Sequence, residues 1–178
     1  MMRNNHYDGH NQKPKVHVQP NTGLDSGARH SVVEILNHTL ANEAVLTLKT
    51  RSAHWNVSGA GFFELYTLFN AQYKQLNEIS DKIAERARML GGLPIGSFEG
   101  FLKNARLEGQ PGTVPNILDL IGDHETSIRF LREDVRKCSE EYEDEGTRDF
   151  LVNILSVHEE MAWRLRSHIE PELTNDER

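Results

Sequence analysis

A chain of 178 residues is long enough to bury the core of one domain, and no apolar run in it approaches the roughly 20 residues that a helical membrane span needs. The formal charge of -7 argues against general nucleic-acid binding, because that affinity rests on neutralising phosphates. The single cysteine, Cys138, excludes an intrachain disulfide and fits a reducing compartment; with no motif around it, it reads as a helix-packing residue. The polar N-terminus lacks a signal-peptide stretch, so the expectation is a soluble, cytoplasmic protein with no membrane partner.

Residues 1–28 are rich in Asn, Gln, His, Gly and Pro and show no helical period, so they read as a disordered tail. From Ser31 the pattern changes. Val33, Leu36, Leu40, Ala44 and Leu48 recur at helical spacing and predict a first helix over 31–57. Ser58-Gly59-Ala60-Gly61 breaks it, and a second helix is predicted over 62–90, closed by Gly91-Gly92. The connection over 91–112 is long and carries a short helix at 98–106. Thr113, with Pro115 just inside, predicts a third helix reaching Tyr142. Asp144 to Gly146 reads as a turn, a fourth helix follows over 147–170, and 171–178 remain as a C-terminal tail. Four long helices joined by short, long and short connections, without strand signals, predict an all-α four-helix bundle over 29–170 whose middle connection can cross its full length.

The second helix carries two stripes, since an α-helix advances about 100° per residue. Leu65, Phe69, Leu76, Ile79, Ile83, Ala87 and Leu90 form a core face. Tyr66, Asn70, Tyr73, Asn77, Asp81 and Glu85 form a polar stripe beside it, which is either a solvated face or, given its two tyrosines, an interface. Asp81 and Glu85, four residues apart, point the same way, and a cation would relieve their repulsion. His54 is the obvious nitrogen donor, and carboxylate with imidazole suits iron, zinc or manganese. An antiparallel hairpin, however, puts His54 near Tyr66, and Asp81 is fifteen residues further on, about 22 Å along the axis. One protomer cannot join them around a metal with bonds of about 2 Å. Two copies of the second helix crossing antiparallel near Tyr73 to Gln75 can, and a twofold dimer would then hold two equivalent sites.

These residues resemble the Dps family of mini-ferritins. The resemblance rests on His54-Trp55-Asn56-Val57 with Gly59 and Phe62, on Asp81 with Ala84-Glu85-Arg86, and on Leu90-Gly91-Gly92. Asp123-His124-Glu125, Leu131-Arg132-Glu133-Asp134 and His158-Glu159 with Met161-Ala162-Trp163 extend it, so that it covers about 31 to 170. It implies a ferritin-like bundle assembled from twofold dimers into a dodecameric hollow shell. The implied activity is a ferroxidase-type oxidation of ferrous iron, preferably with hydrogen peroxide but also with oxygen. Storage of ferric mineral would then serve iron homeostasis and oxidative-stress protection. Many members also bind DNA, which would make the protein nucleoid-associated.

Carried over by position, one iron would be held by His54 of one chain and by Asp81 and Glu85 of its partner. The family's second iron normally uses a His where this chain has Tyr66 and an Asp or Glu where it has Asn70. The spacing between the flanking motifs is unchanged, so these are true replacements. Asn offers only a neutral carbonyl oxygen, and Tyr, with a free pKa near 10, must lose a proton to bind well. The expectation is a weak or empty second position and a slowed or altered oxidation. Trp55, beside the site, would serve as an electron donor or as interface packing. The alternative is a ferroxidase-impaired shell acting in DNA binding or in sequestration of zinc, manganese or iron; a zinc or manganese site that regulates assembly is a third reading.

Glu64 lies off the polar stripe and reads as solvated, and Glu43, three turns before His54, is too far away to join that site. No histidine has a Glu three residues before it, so the Glu-x-x-His pattern of intrabundle di-iron sites is absent. His124 and His158 fall on apolar stripes and read as hydrogen-bonded core residues. Residues 1–29 carry a net charge of +2 from Arg3, Lys13, Lys15 and Arg29 against Asp8 and Asp25, a sparse basis for DNA contact. His6, His10 and His17 are candidates for weak surface metal binding. Glu140, Glu141, Glu143, Asp144, Glu145 and Asp149 cluster around the last turn. A solvated face is the ordinary meaning of such a run. The resemblance implies instead a threefold pore lined by Asp149 with Asp144 or Glu145, attracting ferrous ions by focusing the field.

Overall fold

The computed structural model describes residues 19–170. Five helices follow in chain order: α1 (Ser26–Asn56), α2 (Phe62–Met89), the short α3 (Phe98–Asn104), α4 (Ile117–Glu140) and α5 (Glu145–Ile169). There is no strand among the described residues. The long helices form two hairpins, α1 with α2 and α4 with α5, joined chiefly through α1 against α4. No described helix is long and apolar enough to cross a membrane.

Three helix starts differ from the sequence expectation, each because a cap decided it. α1 starts at Ser26, inside the segment expected to be disordered. Asp25 caps it, accepting from Gly27 N at 2.8 Å and Ala28 N at 3.2 Å. Those bonds hold the Asp25 carboxyl below the usual carboxylate range. α4 starts not at Thr113 but after Asn116, whose side chain accepts from Leu118 N and Asp119 N while Asp119 returns a bond to Asn116 N. This reciprocal box outcompetes the Pro115 signal. α5 begins at Glu145, two residues early, because Asp144 is its N-cap and not part of an open turn.

The close of α2 is as expected. Gly91 takes φ 81°, a left-handed conformation suited to glycine, and Gly91 N and Gly92 N cap the carbonyls of Arg88 and Ala87 at 2.9 Å each. A Cβ on Gly92 would collide with both methyls of Val33, so glycine here also permits close packing on α1. The crossover is then clipped to α1 by polar side chains. Asn37 donates to Leu93 O and accepts from Ile95 N, while Asn42 Oδ1 accepts from Arg106 N at 2.7 Å and Leu107 N at 3.1 Å. His38 Nδ1 lies 2.8 Å from Asn104 O. Backbone that would otherwise lack partners is thereby satisfied.

The core divides into two apolar clusters. One contains Leu36, Leu40, Ile79, Ile83, Leu131, Leu151 and Leu155; the other contains Leu46, Phe69, Leu76, Leu120, Ile121, Met161 and Leu165. Each fully buried side chain of this kind contributes about 1.5–3 kcal/mol from burial. Along α1, α4 and α5 a polar layer falls between the clusters, and it holds Glu43, His124 and His158. The core face of α2 is as expected, with Phe69, Leu76, Ile79, Ile83, Ala87 and Leu90 all buried and Leu65 partly so. Cys138 is fully buried, and burial pushes its thiol up to about 12, which makes it a packing residue.

Candidate metal centre

His54 occupies the last turn of α1 and is 7% exposed. Its Nδ1 lies 3.0 Å from the backbone oxygen of Tyr66. A carbonyl only accepts, so Nδ1 carries the proton and donates it. In the neutral ring this leaves the lone pair on Nε2, the form in which imidazole binds a metal. The turn through Gly59 and Gly61, both at positive φ, folds α2 back to bring Tyr66 there.

The two replaced positions are also resolved in detail. The Tyr66 ring sits 4.1 Å from the His54 ring, tilted by 36°, and the Tyr73 ring is 5.4 Å from it. Tyr73 Oη donates to Asn70 Oδ1 at 2.9 Å. The one Asn70 atom able to meet a cation is thus already engaged. Arg51 stacks over the Tyr73 ring at 4.9 Å, which places a fixed positive charge near the site. The sequence marks Tyr66 and Asn70 as poor ligands and Tyr73 as a residue of the polar stripe, but not the bond from Tyr73 to Asn70 or the place of Arg51. Their spacing of three from Asn70 and His54 was the available signal.

Asp81 and Glu85 lie one turn apart on the exposed stripe of α2, remote from His54 along the helix. Among the described residues, no three His, Cys, Asp or Glu side chains gather to hold a metal within the single chain. Glu64 is exposed, Trp55 is 68% exposed, and Tyr66 is 45% exposed. Beside this stripe an apolar groove of about 430 Å³ runs between α1, α2 and α3, lined by Leu40, Ala44, Leu48, Phe98 and Leu102 together with Arg51 and Asn77. Phe98 and Leu102 are 80% and 77% exposed there.

The acidic turn requires a correction. Asp144 is 3% exposed and faces inward. It accepts from Thr147 N at 2.9 Å, Thr147 Oγ1 at 2.5 Å and Arg86 Nη2 at 3.2 Å. A carboxylate committed to a helix cap and to Arg86 is not presented to solvent on the single chain, as a pore-lining group would be. Glu145 and Asp149 remain exposed, the former accepting from Ser139 Oγ and the latter paired with Arg148. Glu43 is likewise remote from His54; it bonds His158, which in turn meets His124. Both histidines are the hydrogen-bonded core residues expected, but their carboxylate partner was not foreseen. Glu43 sits at helical spacing from Leu36 and Leu40, and an acidic residue on that stripe was the missed signal.

The candidate tail contacts at His6, His10 and His17 lie outside the described residues. So do Arg3, Lys13 and Lys15.

The ferritin-like domain family matches residues 33–172. An uncharacterized low temperature-induced protein of Nostoc sp. is 46% identical over 154 residues, 84% of this chain and 86% of that protein. A DNA protection during starvation protein of Listeria innocua is 31% identical over 140 residues, 76% of this chain and 90% of that one. Among solved structures, the Dps protein of Vibrio cholerae O1, described as a member of a broad superfamily of ferritin-like diiron-carboxylate proteins, superposes with a TM-score of 0.78 at 27% identity, covering 89% of this chain and 99% of that one. With the helical order, the crossover and these matches together, the chain belongs to the Dps family of mini-ferritins.

Proposed function

We propose that the protein takes ferrous iron as its substrate, oxidises it at sites shared between two copies, and stores the ferric product inside a dodecameric shell. The observation that carries this reading is His54. It is buried and locked in the metal-ready tautomer, while the carboxylates that would complete its site point outward on the same chain. In a twofold dimer, His54 of one copy would meet Asp81 and Glu85 of the other. The apolar α1–α2–α3 groove, with Phe98 and Leu102 unpacked, supports that face as the contact between copies. Family likeness to diiron-carboxylate proteins supports iron as the metal.

The centre would hold one ferrous ion firmly. Tyr66 must ionise to bind, and Asn70 is already engaged by Tyr73. Reducing hydrogen peroxide to water takes two electrons, and one ferrous ion supplies one. Oxidation without release of a hydroxyl radical therefore needs a second iron at low occupancy or two sites acting in turn, which predicts slower peroxide-driven turnover than a two-iron centre. Anaerobic ferrous titration followed by peroxide tests this. The expected result is one firmly bound ion per chain, lost in His54→Ala, with a ferric core growing faster than in buffer. Absence of both binding and core growth refutes the enzymatic reading.

The engaged Asn70 also favours a second reading, a shell whose work is DNA binding or sequestration of iron, zinc or manganese. A gel shift at physiological salt, with and without residues 1–18, separates the DNA version. No shift with either protein removes it.

A further inference from the structure

The middle of the bundle carries metal-binding side chains that the shared site does not use. Glu43 of α1, His158 of α5 and His124 of α4 are 1%, 0% and 0% exposed. Glu43 Oε1 lies 2.9 Å from His158 Nε2, and His158 Nδ1 lies 3.0 Å from His124 Nδ1. Both ends of this chain, Glu43 Oε2 and His124 Nε2, are buried without a hydrogen-bond partner among the described residues. Thr47 Oγ1 and Ser127 Oγ, one turn from Glu43 and His124, are in the same condition, as is Gln72 Oε1. A buried polar atom without a partner costs about 1–3 kcal/mol. Each of these atoms calls for a partner, either a buried water or a bound ion.

Proton placement narrows the possibilities. With Glu43 ionised, His158 donates from Nε2 to the carboxylate and leaves Nδ1 as a lone pair. His124 then donates from Nδ1 to that lone pair. One proton therefore lies between two nitrogens that are both good metal ligands. Two nitrogens on a tetrahedral zinc, each at about 2.0–2.1 Å, are about 3.3 Å apart. The observed 3.0 Å is the length of an ordinary N–H···N bond, and a few tenths of an ångström of movement would admit a metal between the two nitrogens. Glu43 behind the His158 Nε2–H reproduces the carboxylate–histidine–metal arrangement, which orients the ring and raises its basicity.

We propose that this layer is an intrasubunit site for one divalent transition metal of the zinc class, bound by His124 Nδ1 and His158 Nδ1 with Glu43 as the charged outer partner. On binding, the His124 proton moves from Nδ1 to Nε2, both imidazoles stay neutral, and the Glu43 carboxylate offsets one of the two metal charges. No third His, Cys, Asp or Glu converges there among the described residues. The remaining positions fall to neutral oxygens, which water or the unpartnered Thr47, Gln72 and Ser127 groups supply. This site does not depend on the shared centre.

The test uses the full-length, chelator-stripped protein carrying His54→Ala and Asp81→Asn, which silences the shared site. Cobalt(II) is the probe, followed by equilibrium dialysis and visible absorption. The expected result is one ion per chain with the intense spectrum of tetrahedral cobalt, displaced by zinc. Adding Glu43→Gln, which keeps the volume, is expected to weaken binding about 10–100-fold, and adding His158→Gln to abolish it. X-ray absorption on the zinc-loaded silenced protein gives an answer even if those buried variants misfold, with two imidazole ligands expected. No tetrahedral cobalt in the silenced protein, zinc without two imidazole ligands, or unchanged affinity in a folded His158→Gln variant overturns the proposal.

Discussion

Replacing Asp144 separates a structural role for the acidic turn from a role in a pore. In the fold this carboxylate caps α5 and receives Arg86, whose side chain is only 22% exposed. Asp144→Ala removes the cap, worth about 1 kcal/mol. It also removes a charge-assisted bond that contributes about 1.5–3 kcal/mol, taken at the lower end because Arg86 keeps some water. Arg86 Nε retains Thr147 Oγ1 at 3.0 Å, which limits the loss. The sum is about 2.5–3 kcal/mol. At about 2–4 °C per kcal/mol for a chain of this size, the melting midpoint should fall by about 5–12 °C. Asp144→Asn keeps the capping oxygen and should lose about half as much. Asp149→Asn, on the exposed side, should leave the midpoint within about 0.5 kcal/mol of the parent. Circular dichroism melts at one protein concentration, run beside initial rates of iron uptake, provide the comparison. An Asp144→Ala protein as stable as the parent but slow in iron uptake would show that the carboxylate faces the pore and refute the assignment.

Three other outcomes are expected. Tyr66→His with Asn70→Asp should raise firm ferrous binding from one to two ions per chain and speed peroxide-driven oxidation in stopped-flow traces; unchanged rates would mean that Tyr66 and Asn70 are not what limits the centre. His124, held neutral by burial, makes stability depend on pH. The unfolded chain takes up a proton below about pH 6.5 that the folded chain refuses, so this contribution is complete above that pH and is lost as pH falls below it. Urea midpoints measured from pH 7.5 to 5 should decline below about 6.5, and a folded His124→Asn variant should decline less. Gly92→Ala, whose Cβ would strike Val33 and force α1 and the crossover apart, should destabilise by about 1–3 kcal/mol in the same measurement.

Much of the architecture was legible because it depends on local periodicity. The core face of α2 was predicted nearly residue by residue, since a stripe repeating every three or four residues has one way to be buried. The helix starts were less legible. Asp25, Asn116 and Asp144 each looked like a loop residue, and each became a cap once the following amides were left without partners. The candidate site divides in the same way. His54, Asp81 and Glu85 were identifiable by type and spacing. Their separation on one chain followed from helix rise alone. The engagement of Asn70 by Tyr73, with Arg51 beside it, was not legible, because it depends on which rotamers share one patch of surface.

The sequence by itself determined an all-helical chain, the order and approximate length of its helices, the long crossover, the family, and Tyr66 and Asn70 as departures from the family pattern. The helices and the crossover follow from spacing along a rigid helix, which any window of the chain reports; the family and the two replacements follow from the resemblance of its motifs. Only the tertiary structure decided that Asp144 faces inward, that His54 is held in the metal-ready tautomer, and that Glu43, His124 and His158 form a buried chain across three helices. Those outcomes join residues up to 115 positions apart. Their physical cause is the same in each case. A polar group carried inside by its helix must find its partner on whichever helix packs against it, and only the packing names that partner.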